Sequence, residues 1–168
     1  SNVVTINTAG IYETKLSKKM QSFMKKYDKH AYFSFLPSYE GVKIRLTGLD
    51  TGFNINIIKK ELLKFLSEYA YGTDKVTLEI KVSNLIKKNK LKLSIAESCT
   101  GGFISKRITD IPGSSIFFLG GIVAYDNDIK NNILGISNDD IVKFGAVSKQ
   151  VSESMAINVL QRFKSDIS

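Results

Sequence analysis

Apolar positions recur along this chain at two spacings, and each spacing predicts a different kind of element. Within residues 12–27, Leu16, Met20, Phe23, Met24 and Tyr27 fall three or four apart with lysines between them, the pattern of an amphipathic helix. The stretch "AYFSFLP" (31–37) reads as a strand stopped by Pro37. In "GVKIRLTG" (41–48), Val42, Ile44 and Leu46 alternate with Lys43, Arg45 and Thr47, which predicts a half-buried strand. The intervening "PSYEG" carries turn residues, so the two strands are expected to form a hairpin. Ile58, Leu62, Phe65, Leu66 and Tyr69 return to helical spacing within 54–70. The first unit is thus read as α-β-β-α, a small α+β sheet with helices on one face.

A helix over 77–88 follows, with Thr77 as its N-cap and lysines at its carboxyl end, where they suit the helix dipole. Then come "LKLSIAES" as a strand, "CTGGFISKRITD" as a helix beginning at Cys99, and "GSSIFFLGGIVAY" as a turn plus a buried strand. "NDIKNNILG" predicts a short helix closed by Gly135, and "SNDDIVKFG" another capped by Ser137. The last helix is expected to start near Ser148, with Val151, Met155, Val159, Leu160 and Phe163 on one face. Strands alternating with helices argue an α/β unit, yet only two strands are clear, so this part reads as an incomplete α/β/α layered domain. The fold class expected for the whole chain is α/β.

Charge divides the chain in the same place. Residues 1–90 hold 16 Lys and Arg against 8 Asp and Glu, whereas residues 91–168 hold 8 against 8. The change near "IKKNK" (86–90) suggests two units, and it makes nucleic acid a partner to weigh for the first. An apolar fraction of 43% in 168 residues is ordinary for a globular protein, and no apolar run is long enough for a membrane-spanning helix. One cysteine (Cys99) and one histidine (His30) exclude an internal disulfide and a zinc site of the usual kind. No cofactor is expected. The opening "SN" without Met reads as a tag remnant, and the chain as a cytoplasmic piece of something longer.

The chemistry concentrates in "AESCTGGFISKRITD" (96–110). A strand ending at Glu97 places Ser98 at a strand-to-helix turn, on the edge of an α/β sheet where ligands collect. A helix beginning at Cys99 would offer the N–H groups of Thr100, Gly101 and Gly102 to an anion, either a phosphate or an oxyanion. The glycine spacing matches neither the P-loop nor the dinucleotide fingerprint. Cys99 lacks a partner cysteine, and Ser98 could serve simply as an N-cap. A nucleophilic Ser98 needs a base. "VAYDNDIK" offers Tyr125 at a strand end and Lys130 one turn later, and serine amidohydrolases can use a lysine base.

Several separated motifs carry a resemblance. "AESCTGG", "TDIPGSSIFFLGGIVAYDNDIK", "LGI" and "FGAVS", in order and spacing, resemble the carboxyl-terminal domain of the CinA (competence/damage-inducible) family, over about residues 93–165. That domain also occurs alone as a PncC-type nicotinamide mononucleotide deamidase. "AGIYETKLSKKM", "FLPSYEGVKIRLTG" and "YAYGTD" resemble the middle, KH-like domain of long CinA proteins. The resemblance implies a KH-like unit over 1–75 and a truncated amidohydrolase domain over 76–168. It implies hydrolysis of the carboxamide of nicotinamide mononucleotide to nicotinate mononucleotide and ammonia, a step of pyridine-nucleotide salvage, without a metal. The matching residues are Ser98 as nucleophile, with Tyr125 and Lys130 assisting. Thr100, Gly101 and Gly102 are the expected substrate-binding positions.

Asp126 and Ile129 replace small residues common in the family, and the chain ends before the family's "TGIAGPxGG" segment. A catalytically silent binding module is therefore the alternative reading. "GLDTG" (48–52) is one residue too long for a G-x-x-G loop, so the expected partner is a small nucleotide rather than nucleic acid, with no membrane. An open sheet edge and the family habit imply a homodimer.

Overall fold

The computed structural model describes residues 2–49 and 52–168, leaving Ser1, Asp50 and Thr51 of the "SN" and "GLDTG" stretches outside it. The chain forms two compact units, residues 1–81 and 82–168.

In the first unit, β1 (Val3–Thr8), α1 (Glu13–Lys26), β2 (Ala31–Ser38), β3 (Gly41–Gly48), α2 (Ile55–Phe65) and β4 (Ala70–Thr73) follow one another. The four strands make one antiparallel sheet in the order β2-β3-β1-β4. The expected α-β-β-α core is present as α1-β2-β3-α2, but β1 and β4 flank it, giving a split β-α-β topology in place of the four-element unit. The alternation of Val42, Ile44 and Leu46 works as predicted: all three are buried, while Lys43 and Arg45 point to the exposed face. Leu16, Met20 and Phe23 of α1 and Ile55, Ile58 and Leu62 of α2 pack on that inner face. Each such fully buried side chain contributes about 1.5–3 kcal/mol, enough for this cluster to hold the unit together.

Pro37 does not stop β2, which runs on to Ser38 with Pro37 opposite Val42. The reason is position: β2 is the edge strand of the sheet, where a residue without an N–H costs no ladder bond on the open side. Asn54 caps α2 by accepting from the Asn56 N–H at 3.0 Å. His30 belongs to this unit, stacked on Phe53 with ring centroids 4.2 Å apart.

The second unit contains most of α3 (Leu78–Lys88), then β5 (Leu93–Glu97), α4 (Phe103–Thr109), a 3-10 turn at Ser114–Ile116, β6 (Phe118–Val123), α5 (Asn127–Leu134), α6 (Asn138–Phe144) and α7 (Lys149–Phe163). Thr77 caps α3 through a weak bond from the Ile80 N–H at 3.4 Å. β5 and β6 are parallel neighbours, with Glu97 opposite Val123. Leu93 and Ile95 face α3 and α4, sharing a cluster with Ile86, Ile108 and Phe117. Ala96 and Ile122 face the other layer, where Leu134, Ile141, Val151, Met155 and Val159 of α5, α6 and α7 pack. Helices thus lie on both faces of a parallel pair, as an α/β/α layering requires.

Two expectations change here. β6 is half-buried rather than buried: α4 covers its outer face at Gly121, but Leu119 and Val123 on either side of that glycine stay exposed. The two-stranded count also gains a beginning: Ile167 makes a parallel bridge to Leu93 on the other side of β5.

Gly120 and Gly121 let both helical layers approach β6 closely. A Cβ on Gly120 would meet the Phe163 ring at 3.0 Å, and one on Gly121 would meet Ser105 Oγ at 2.6 Å and Ile95 O at 3.1 Å. Gly121→Ala is therefore expected to destabilise the second unit by about 1–3 kcal/mol, as overpacking does. Urea denaturation of the variant measures this, and an unchanged midpoint would show that α4 can withdraw without penalty.

Candidate active site at the strand ends

The carboxyl ends of β5 and β6 bring the sequence motifs together. Glu97 O accepts from the Ala124 N–H at 2.8 Å, so Ser98 and Tyr125 each follow directly from one member of that bonded pair. Parallel pairing places both at the same edge of the sheet, the edge where α/β folds assemble ligand sites. Ser98 is half-buried, whereas the Tyr125 side chain is 74% exposed.

Lys130 is the surprise of this region, with only 2% of its surface exposed. Its burial follows from helix geometry: Asp126 caps α5 by accepting from the Asp128 N–H at 2.7 Å, and Lys130 and Leu134 share the inward face one turn apart. From α7, Asn158 Nδ2 and Arg162 Nη1 donate to Leu134 O and Ile133 O at 2.6 and 2.7 Å, which fixes the far end of α5. Lys130 Nζ donates to Tyr125 O at 2.8 Å, and no described carboxylate pairs with it. Lysines are almost never fully buried unless paired, so this placement is unusual for a residue with only a structural task.

The turn after Ser98 differs from expectation. Helix α4 begins at Phe103, four residues later than Cys99, because Gly101 and Gly102 adopt left-handed conformations (φ 59° and 96°) that no helix continues through. The N–H groups at that helix start are already taken. Glu97, 2% exposed, accepts from the Gly102 and Ile104 N–H groups at 3.0 Å each, from the Ser105 N–H at 2.8 Å, and from the Ser105 hydroxyl at 2.6 Å. The Gly101 N–H donates to Ser98 O at 3.0 Å. The anion expected at this helix terminus is thus a side chain of the protein itself. Among the described residues, the Thr100 N–H is left without a partner. Cys99 is exposed on the same turn.

Burial pushes the Glu97 carboxyl up, but the Ser105 hydroxyl and N–H, the Ile104 N–H and the Thr100 side chain together outweigh it and hold it below the ordinary carboxylate range. Sequence reading missed this residue. The available signal was an acid closing an apolar strand with Ser105 eight positions on, but the left-handed turn at Gly101 and Gly102 that folds one onto the other has no periodic pattern to announce it.

An α/β layer with a serine at one strand end and a buried lysine beside the next defines the chain as a protein of the α/β class with a strand-edge candidate site. Comparison with known proteins places it further. A family described as the CinA C-terminal domain matches residues 75–168. A CinA-like protein of Amoebophilus asiaticus is 36% identical over 97% of this chain and 40% of its own length. A putative competence-damage inducible protein of Halothermothrix orenii is 38% identical over 94% of this chain and 39% of its own. Among solved structures, a CinA superfamily protein of Escherichia coli aligns with a TM-score of 0.52 at 29% identity, covering 54% of each chain. The competence/damage inducible protein CihA of Agrobacterium tumefaciens aligns with a TM-score of 0.50 at 39% identity, covering 54% of this chain and 53% of that one. The chain belongs to the CinA family. It spans about 40% of the length of these curated relatives.

Because the folded Glu97 carboxyl is depressed, its contribution to stability is complete above the unfolded value of 4.5 and is lost as pH falls through the lower folded value. The stability of the protein should therefore decline below about pH 4.5. Glu97→Gln, lower in stability at neutral pH, should show a shallower decline. Denaturation curves between pH 6 and 2 would read this, and parallel slopes for the two proteins would remove Glu97 from the acid limb.

Proposed function

We propose that this chain carries the nucleophile and base of a CinA-family amidohydrolase acting on the carboxamide of nicotinamide mononucleotide. One observation carries the proposal: Lys130 is buried and, among the described residues, has only a neutral carbonyl as partner, in the segment that follows the strand end beside Ser98. A lysine held out of solvent at a strand-edge site is placed as a base for a serine nucleophile. The resemblance of "AESCTGG" and "VAYDNDIK" to family motifs supplies the substrate.

In this reading Lys130 accepts the Ser98 hydroxyl proton as Ser98 Oγ attacks the amide carbon, and the carbonyl oxygen becomes an oxyanion. Collapse breaks the C–N bond, with the proton passing from Lys130 to the departing nitrogen as ammonia forms. Water then attacks the acyl-serine with Lys130 again accepting a proton. Nicotinate mononucleotide leaves and Ser98 regains its hydrogen. The Thr100 N–H is the backbone donor proposed for the oxyanion or the substrate. Gly101 and Gly102 contribute their left-handed conformations, which shape the turn, since their own N–H groups are used internally. The exposed Tyr125 ring is proposed to meet the substrate from the open side, while its carbonyl holds Lys130. Among the described residues no helix is long and apolar enough to cross a membrane.

The test is ammonia release from nicotinamide mononucleotide by the full-length protein. Ser98→Ala is expected to lower kcat by on the order of a thousandfold or more, and Lys130→Met by roughly 10²–10⁴. Full activity in Ser98→Ala would sink the proposal, and an inactive wild type would favour a binding module. We further propose self-association through the outer edge of β6, which has no strand partner among the described residues and where Leu119 and Val123 are 41% and 47% exposed. Light scattering should report a dimer that Val123→Lys weakens, and a monodisperse monomer for the wild type would contradict it.

A further inference from the structure

We infer that Glu97 is a positioning residue for Ser98, holding the nucleophile's turn in one conformation through its carboxylate. The inference rests on the reading of Ser98 as the reacting group.

Glu97 is attached at both ends of the turn it precedes. Its carbonyl is fixed to β6 by the Ala124 N–H at 2.8 Å. Its side chain reaches forward over Ser98–Gly101 and takes the N–H groups of Gly102, Ile104 and Ser105, together with the Ser105 hydroxyl. The four residues between are therefore a loop whose two ends are tied to a single residue, closed internally by the Gly101 N–H on Ser98 O at 3.0 Å. Ser98 is the first member of that loop, so its backbone is constrained from the strand side and from the helix side together.

A cap alone does not account for this arrangement. Helix α4 is seven residues long and has no side-chain cap of its own, since Gly102 occupies the N-cap position. A Ser, Thr or Asp there would satisfy the terminus without burying a long carboxylate. Burying a charge is expensive unless every lone pair is answered. Here Oε1 accepts twice and Oε2 accepts twice, which answers the carboxylate while locking the end of β5 to the first turn of α4. What the larger expenditure adds over a cap is fixed geometry next to Ser98. Gln in this place would turn its NH2, in either orientation, toward at least one backbone N–H that can only donate, so the amide cannot reproduce the set.

Preorganisation of this kind acts on kcat, because a nucleophile displaced by about 1 Å loses on the order of 10²-fold in rate while substrate contacts persist. The experiment pairs two readouts on the full-length protein and its Glu97→Gln variant: amide hydrogen exchange across residues 98–105, and ammonia release from nicotinamide mononucleotide. The inference expects exchange at least about tenfold faster in the variant and a fall in kcat of roughly 10- to 100-fold, with KM within about twofold of wild type. Wild-type kcat in Glu97→Gln overturns it, as does wild-type exchange. A rise in KM at unchanged kcat also overturns it, since that marks a substrate contact. If the wild type releases no ammonia, the functional reading fails by itself, and the exchange arm alone decides whether Glu97 holds the turn. Should Glu97→Gln not fold, Ser105→Ala takes its place by removing one bond of the set. Faster exchange with a lowered kcat upholds the inference there, and faster exchange at full kcat defeats it.

Discussion

A buried carboxylate must have its lone pairs answered, and in this protein that requirement ties a strand to a helix. Glu97 closes β5 as a buried residue, out of reach of bulk water. The donors that serve it are the N–H groups at the start of α4 and the Ser105 hydroxyl. Meeting that demand forces the chain between them into a tight turn, which only residues able to enter left-handed space can make. Gly101 and Gly102 occupy those positions. The turn that carries Ser98, the late start of α4 and the loss of a free anion site at its terminus all follow from this one group.

The neighbouring strand depends on a second constraint, the closeness of its two helical layers. β6 contributes Gly120 toward Phe163 and Gly121 toward Ser105, so α7 and α4 can both press on the same strand. Through Asn158 and Arg162, α7 then holds the end of α5, and α5 carries Lys130 inward. The serine and the lysine belong to segments 32 residues apart in the chain. They are related by the parallel pairing of Glu97 with Val123 and by the helix that follows it.

Much of this was legible in the chain itself wherever local patterning and local capping agree. The α1 and α2 faces, the alternation in β3, and the caps Ser137, Ser148 and Gly135 appear where apolar spacing and cap chemistry placed them. Two of the failures originate in neighbours that are distant in sequence, and the third in a turn too short to leave a periodic pattern. β1 and β4 complete the first sheet because β1 sits centrally between β3 and β4, although β4 is only four residues long. Pro37 reads as a stop until the strand is known to be an edge. Cys99 reads as a helix start until Glu97 is seen to claim the donors beyond it.

By itself, then, the sequence determined the mixed α/β character and the family. It also set the two motifs whose serine, tyrosine and lysine invite a chemical reading, because periodicity, caps and motif spacing are properties of short segments. Tertiary structure decided that Lys130 is buried, that the Tyr125 ring is exposed while its carbonyl holds the lysine, and that Glu97 governs the turn. Those outcomes depend on desolvation and on hydrogen-bond donors delivered by separate elements. No local pattern encodes which side chain will lose its water or which N–H will arrive to replace it.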